Sequence, residues 1–322
     1  MDNIFDYEPK TLADAIRYFS DPSVCLQTMI NLRWKNGVCC PTCGDKSPRF
    51  LTKQQRWECK NKHPKRQFSA KTGTIFEDSP LGLDKWFIAI WLLSNCRNGI
   101  SSLELHRSIG VTQKTAWFML HRIRLAMKSE SIEKSDGTVE ADETFIGGKA
   151  KNMHKDKREK KVFGRGGAGS GKQVVMGILS RGAGTNKSRI VSAKMIKDTT
   201  HDTLKAEIKK SVETGTKIYT DSHKGYRGLI TEYVHAVVDH AVEYVNGLVH
   251  TNGMENFWSV LKRSIKGTYV SVIPPHLDRY VDEHVYRFNV RDEQDCNRFY
   301  KVLGMGLGKR IMYAELIGRG KA

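Results

Sequence analysis

Two rhythms of apolar residues run along this chain. From Leu83 to about Met127 they recur at helical spacing, and LDKWFIAIWLLSN (83–95) is apolar nearly all round, which predicts a buried helix. SSLELHRSIG follows, with Ser101 or Ser102 as N-cap and Gly110 as the stop. VTQKTAWFMLHRIRLAMK then starts beyond a tight turn with Thr112 as its N-cap. After the turn signal Ser135-Asp136-Gly137 the rhythm shortens to β-branched and apolar runs: TVEA, VVMGILS, RIVSAKMI, KIYT and HAVVD. A helical run, TLKAEIKKSVE, falls between the third and fourth of these. Near the N-terminus TLADAIRYF predicts a short helix. Residues 276–301 predict another, with Leu277, Tyr280, Val281, His284 and Val285 on one face. The segment after Val302 carries Gly and Lys/Arg and gives no clear element. The resulting division is a helical lead-in (1–30), a cysteine-rich segment (31–80), a helical segment (81–130), an α/β segment (131–275) and a C-terminal helix and tail (276–322).

Composition sharpens this picture. A chain of 322 residues with 39% hydrophobic and 27% charged residues has the makeup of a globular, multi-domain protein. A net charge of +18 is far from that of a generic metabolic enzyme and predicts a polyanionic partner, most simply nucleic acid. Seven cysteines, an odd number clustered toward the N-terminus, argue against a disulfide framework and for a reducing compartment. The acidic start MDNIFDYEPK is no signal peptide, and the apolar run WFIAIWLL is too short to span a bilayer, so a cytoplasmic location without membrane contact is expected.

The cysteines have metal-ligand spacing. Cys40-Pro-Thr-Cys43-Gly is a knuckle whose glycine permits the tight turn that aims backbone N–H groups at sulfur, and Cys59 and His63 follow. Cys40, Cys43, Cys59 and His63 are the expected tetrahedral ligands of one structural Zn²⁺; Cys39 is an alternative to Cys40, which gives the standard two-residue gap. So polar a segment could hardly bury enough core without such a staple.

The helix, short turn and helix within 81–130 form a helix-turn-helix pattern whose second helix carries Gln113, Lys114, Trp117, His121, Arg122 and Arg124. Gln113, Lys114, Trp117, His121 and Arg122 are the candidate DNA readers. Arg122 and Arg124 cannot both face one groove. Residues 149–172 carry nine Lys/Arg against two Asp/Glu and predict a flexible loop touching phosphates, with Lys155, Lys157, Arg158, Lys160 and Lys161 as the candidate contacts. Gly166 to Lys172 nearly spells a triphosphate-binding loop. It fails because Gln173 stands where the Mg²⁺-binding Ser/Thr belongs and a strand-like run follows.

Three carboxylates complete the chemistry. Asp142 (in VEADETFIGG) and Asp221 (in KIYTDSHKGY) end strand-like runs, and Glu255 opens the helix-like run ENFWSVLKRSIKG. Converging, they would repel one another unless cations sit between them, and hard oxygen ligands favour two Mg²⁺ or Mn²⁺, the clamp for in-line attack at a phosphodiester. Lys262, two helical turns after Glu255 on the same face, could hold a phosphate beside the scissile bond. Trp258 and Lys266 of that run are further candidate DNA contacts, although core packing is the favoured role for Trp258; His250 is a candidate support, with a plain structural role as the alternative. Glu143 should point to the opposite face of its strand from Asp142 and so is not an expected ligand.

The blocks RWKNGVCCPTCG, KTGTIFEDSPL, VEADETFIGGK, YTDSHKGY, HTNGMENFWSVLKRSIKGTY and HLDRYVDEHVYRFNVR, in this order over roughly residues 20–300, resemble a bacterial insertion-sequence transposase of the DDE superfamily, in the branch with an N-terminal zinc ribbon. The resemblance implies an RNase H-like α/β core, a mixed five-stranded sheet with flanking helices, preceded by a zinc ribbon and a helix-turn-helix. It implies two divalent metals, cleavage at inverted terminal repeats and transfer of the freed 3′-OH into target DNA. In this branch an asparagine can take the third acid's place, so Asn252 stands beside Glu255 as a candidate. Double-stranded DNA and further copies of the chain are the expected partners. The alternatives are an RNase H-like nuclease or resolvase without strand transfer, and an inactive DNA-binding derivative.

Overall fold

The computed structural model describes residues 7–128, 134–148, 150–162, 170–182, 187–238 and 250–319, apart from the side chains of Lys157 and Thr231. These fall into two compact units. One holds the described residues up to Lys128 together with those from Asp292 on; the other holds those between.

The first unit begins with helices α1 (Leu12–Tyr18) and α2 (Pro22–Arg33). Thr11 with Asp14 forms a capping box on α1, and Asp21 caps α2 ahead of a proline at its first turn. A small antiparallel sheet follows, of β1 (Arg49–Leu51), β2 (Arg56–Glu58) and β3 (Gln67–Phe68). Its core is aromatic: Trp57 pairs across the sheet with Phe68, and Trp34 packs edge-on against Trp57 with ring centroids 5.3 Å apart.

The helical segment folds as the pattern predicts. Helix α3 (Leu83–Asn95) buries Trp86, Phe87, Ile90, Trp91 and Leu93. Helix α4 (Ser102–Ile109) starts in a capping box of Ser101 and Glu104 and stops at Gly110, whose φ of +63° suits a left-handed cap. Helix α5 (Gln113–Met127) follows the three-residue turn, capped by Thr112. The predicted helix over 276–301 is two helices, α9 (Pro274–Asn289) and α10 (Asp295–Met305), broken at 290–294. Only α10 belongs to this unit; with Phe299 it packs on Phe87 and Trp91 of α3. Helix α11 (Tyr313–Leu316) closes it.

The second unit is a five-stranded sheet in the order β6-β5-β4-β7-β8: β4 (Thr138–Ile146), β5 (Gln173–Ser180), β6 (Arg189–Ile196), β7 (Lys217–Asp221) and β8 (Val234–Val238). The first three in chain order pair antiparallel with one another, and β7 and β8 run parallel to β4. That order is the RNase H-like one. Side chains alternate between faces. On one face Val139, Ala141, Met176, Ile178 and Ile218 pack on helix α7 (His201–Ser211) through Leu204 and Ile208. On the other, Val175, Leu179 and Ile190 pack on helix α8 (Asn252–Gly267) through Met254, Phe257, Trp258 and Leu261, and on α9 through Leu277, Val281 and Val285. The basic segment expected to be a flexible loop contains helix α6 (Lys155–Lys161), because KDKREKK is built of good helix formers with acidic Asp156 in its first turn. Residue 149 and residues 163–169, which include most of the glycines of the near-miss triphosphate-binding loop, lie outside the described residues. Among the described residues no helix is long and apolar enough to cross a membrane.

Candidate active site and metal centres

Strand β4 supplies Asp142 and strand β7 supplies Asp221. The parallel pairing registers Glu140 with Tyr219, so two residues further along both strands Asp142 and Asp221 stand level on one face, the face covered by α8. Asp142 is the fifth residue of the nine-residue β4 and not its end. It nevertheless marks an edge, since pairing with β7 stops at Glu140. Opposite Asp142 on β5 lies Gly177, where a Cβ would come within 2.2 Å of Met254 Cε and 2.7 Å of the Trp258 ring. The missing side chain lets α8 lie close against the sheet, and the Trp258 indole N–H donates to Asp142 Oδ2 at 3.0 Å. Trp258 is 4% exposed, in line with the favoured core-packing role; the alternative role as a DNA contact is corrected, since the indole is held against a carboxylate in the core.

Burial, with Glu143 and Asp221 close by, pushes the Asp142 carboxyl up to about 7. A carboxylate so crowded by its own kind is a donor that a cation would relieve, and the hard oxygens suit Mg²⁺ or Mn²⁺. The sign of the pH dependence follows. Asp142 holds its proton more tightly folded than unfolded, so the stability this proton contributes is present at low pH and is lost as pH rises through 7. In Mg²⁺-free buffer the Tm should fall between pH 5 and pH 8, and Asp142→Asn should flatten that slope. A wild-type Tm flat or rising over this range would refute the assignment.

Glu143 lies on the opposite face, as its place in the strand predicts. It accepts from Tyr226 Oη at 2.5 Å, with His223 Nδ1 at 3.6 Å, while the His223 backbone N–H donates to Asp221 Oδ1 at 3.0 Å. Burial raises its carboxyl. Glu255 stands in the first turn of α8 with Asn252 at the helix start, and both are exposed. Lys262 and Lys266 are exposed further along the same helix. The carboxylate oxygens of Asp142, Asp221 and Glu255 do not come within 4.8 Å of one another as a set. Sequence reasoning missed the residue that holds this helix start, Glu140, which is buried on the same strand face two residues before Asp142 and accepts from the Met254 backbone N–H at 2.9 Å. The available signal was its place two residues before Asp142, on the same face of the strand.

In the first unit Cys40, Cys43, Cys59 and His63 place one ligand atom each within 4.8 Å of one another, the one such cluster among the described residues. Cys43 Sγ and Cys59 Sγ are 3.4 Å apart, and Cys40 Sγ and His63 Nε2 are also 3.4 Å apart, near the ~3.8 Å edge of a tetrahedron with zinc–sulfur bonds of ~2.3 Å. His63 Nδ1 donates to the Pro64 carbonyl at 2.7 Å, which leaves the Nε2 lone pair facing the sulfurs. The backbone N–H of Asp45 and the Asn61 amide lower the Cys43 thiol, toward the thiolate a metal needs, while burial raises that of its neighbour Cys59. The donor set fits Zn²⁺ with no position left for water. Metal analysis should find about one zinc per chain, lost in Cys43→Ser; unchanged zinc in that variant would remove the site.

Helix α5 corrects part of the expected DNA-reading set. His121 is 0% and Arg122 4% exposed; Arg122 donates to the Glu77 carbonyl at 2.8 Å and the Ile311 carbonyl at 3.3 Å, and His121 lies under Trp117. Neither is placed to touch a base: those two carbonyls hold Arg122, and His121 is fully buried. Trp117 is half-buried against His121 and Tyr313. Gln113 and Lys114, at the helix start, remain exposed, and Lys155, Arg158, Lys160 and Lys161 of α6 are exposed too.

A zinc-ligand ribbon together with paired aspartates on an RNase H-like sheet defines the class of DDE-type proteins. The transposase zinc-ribbon domain family matches residues 21–61, and the ISXO2-like transposase domain family matches residues 134–289. An uncharacterized protein in transposable element ISH50 of Halobacterium salinarum is 30% identical over 258 residues, which cover 77% of this chain and 84% of that protein. An uncharacterized transposase-like protein of Haemophilus influenzae is 28% identical over 88 residues, 27% of this chain and 71% of the relative. No solved structure matches the chain. The chain belongs to the ISXO2-like family of DDE transposases.

Proposed function

We propose that this protein is an active DNA transposase that binds the terminal inverted repeats of its element, cleaves the ends and joins the freed 3′-OH to target DNA. The observation that carries the reading is the level placement of Asp142 and Asp221 on adjacent strands, beneath the helix that begins with Asn252 and Glu255. Asp142, Asp221 and Glu255 would hold two divalent ions, Mg²⁺ or Mn²⁺. Bound there, these ions supply the activated nucleophile and the stabilised leaving oxygen of an in-line displacement. The protein's own part is positional. Trp258 fixes one oxygen of Asp142, the His223 backbone N–H fixes one of Asp221, and Lys262 meets the phosphate from the same helix as Glu255. The ribbon's Cys₃His set would hold structural zinc and take no part in chemistry.

The DNA-binding surface falls to two segments. Gln113 and Lys114 at the exposed start of α5 would read sequence, with Trp117 beside them. The exposed cations of α6 would contact phosphates; Lys157, whose side chain lies outside the described residues, belongs to the same run. The test separates the two. Replacing Lys155, Arg158, Lys160 and Lys161 by Gln should weaken binding to all DNA alike and reduce the slope of log K against log salt by about 0.9 for each phosphate that the protein no longer neutralises. A loss of discrimination at intact affinity would show the segments to be assigned the wrong way round. Strand transfer itself is tested by incubating protein, Mg²⁺, labelled element ends and plasmid. Cleaved ends that never join to plasmid would favour a nuclease or resolvase. The chain is expected to act as a dimer or higher assembly on paired ends.

A further inference from the structure

Glu140 is 1% exposed, yet it is a carboxylate on the strand that carries Asp142 and on the same face. Its partners are unusually complete. Arg181 Nε donates to Glu140 Oε1 at 2.8 Å, and the backbone N–H of Met254 donates to Oε2 at 2.9 Å. His250 Nδ1 is 3.7 Å from Oε1. A second Arg181 nitrogen donates to the His250 carbonyl at 2.5 Å and to its Nδ1 at 2.8 Å, and the guanidinium lies over the Tyr219 ring at 4.5 Å. Met254 is the third residue of α8, and its N–H is one of the donors a helix start leaves unsatisfied. Glu140 therefore serves as an N-terminal cap supplied by a distant strand, with a charge that suits the positive end of the helix. Arg181 ties His250, which closely precedes that helix, to the same carboxylate.

Gly253 is the second, independent sign that the approach is close. A Cβ there would lie 2.8 Å from Glu140 Oε2 and 3.0 Å from Leu179 Cδ1. Glycine at this position is what lets the first turn of α8 settle onto β4. That turn is the one that bears Asn252 and Glu255, while β4 bears Asp142.

We infer that Glu140, with Arg181 and His250, is a positioning set that fixes the start of α8 against β4 and so sets the distance between Asp142 and the third metal ligand. None of the three need touch a metal or the DNA. The inference rests on the two-metal reading above. If the third ligand is carried on an anchored turn, its reach depends on the anchor, and loosening the anchor would weaken metal binding while leaving the carboxylates of Asp142 and Asp221 in place. Supporting groups of this kind are typically worth roughly 10–100-fold in metal affinity.

The experiment measures Mn²⁺ binding by electron paramagnetic resonance on the full-length, zinc-loaded protein bound to uncleavable element ends. Wild type is compared with Glu140→Gln, Gly253→Ala and Asp142→Asn. Glu140→Gln keeps the volume but cannot accept from both the helix start and Arg181. Gly253→Ala keeps every charge and wedges the helix start away from Glu140 and Leu179. Both are expected to weaken the second Mn²⁺ by roughly 10-fold or more with zinc content and end binding unchanged. A role confined to folding would lower the Tm and leave Mn²⁺ binding by the folded protein as in wild type. Mn²⁺ isotherms of both variants that superimpose on wild type overturn the inference. Should Glu140→Gln fail to fold, Gly253→Ala alone decides. If Asp142→Asn also binds Mn²⁺ like wild type, the two-metal reading itself has failed and takes this inference with it.

Discussion

Asp142→Asn and Asp221→Asn should each abolish strand cleavage and strand transfer, by at least about 10³-fold, while binding to the element's ends stays within a few-fold of wild type. The reason lies in what the two side chains are placed to do. They stand level on adjacent strands, and burial and crowding keep the Asp142 carboxyl at about 7, so the pair is no comfortable home for negative charge without a cation. Neutralising one carboxylate removes a metal ligand, yet it also removes electrostatic repulsion, both within the site and toward the DNA backbone. The variants should therefore fold at least as well as wild type in Mg²⁺-free buffer, and end binding should hold or tighten slightly. A gel-shift assay run beside a cleavage assay on the same labelled ends separates the two effects. Residual cleavage above about one tenth of wild type in either variant would mean that the aspartate is not a ligand. Loss of end binding in parallel with cleavage would mean that the substitution damaged the fold.

How much of this is legible in the sequence depends on whether a residue's role is set by its neighbours along the chain. The strand runs around Asp142 and Asp221, the caps Ser101 and Thr112, the stop at Gly110 and the cysteine spacing are local patterns, and the structure follows them. Apolar Leu277, Val281 and Val285 of α9 are buried on one face as their spacing requires. Roles set across the fold are hidden. Arg122 and His121 read as DNA contacts because a helix pattern says which residues share a face and not what covers it; Arg122 is held by the Ile311 carbonyl, almost two hundred positions on, and His121 lies under Trp117, itself packed on Tyr313. The helical spacing of Trp258 favours core packing over base stacking, and it is buried; what the sequence hides is that Gly177, on strand β5, opens the space that seats its ring. Glu140 looks like one more strand residue, because its partners Arg181, His250 and Met254 are all distant in sequence. The segment after Val302 shows no period because Ile311 and Tyr313 act there as a carbonyl acceptor and a packing ring, outside any long regular element.

The other large effect concerns the third ligand. Glu255→Gln should lower cleavage by a factor comparable to the aspartate variants, and Asn252→Ala should not, if Glu255 is the ligand. The charged carboxylate is the better partner for a hard cation, and it stands exposed in the first turn of the helix. Asn252, at the helix start, offers only a neutral carbonyl oxygen. The opposite outcome, Glu255→Gln cleaving normally and Asn252→Ala inactive, would transfer the role to Asn252. Lys262→Ala distinguishes ligand from phosphate contact within the same helix. Lys262 lies two turns beyond Glu255, so its loss should leave Mn²⁺ binding untouched and misalign only the scissile phosphate. In-line attack depends steeply on that alignment, so a rate loss of about 10²-fold with little change in end binding is expected. Calcium adds a control on the whole scheme. Its larger radius and looser geometry should let the carboxylates engage it and the ends stay bound, while cleavage fails in wild type as it does in Asp142→Asn.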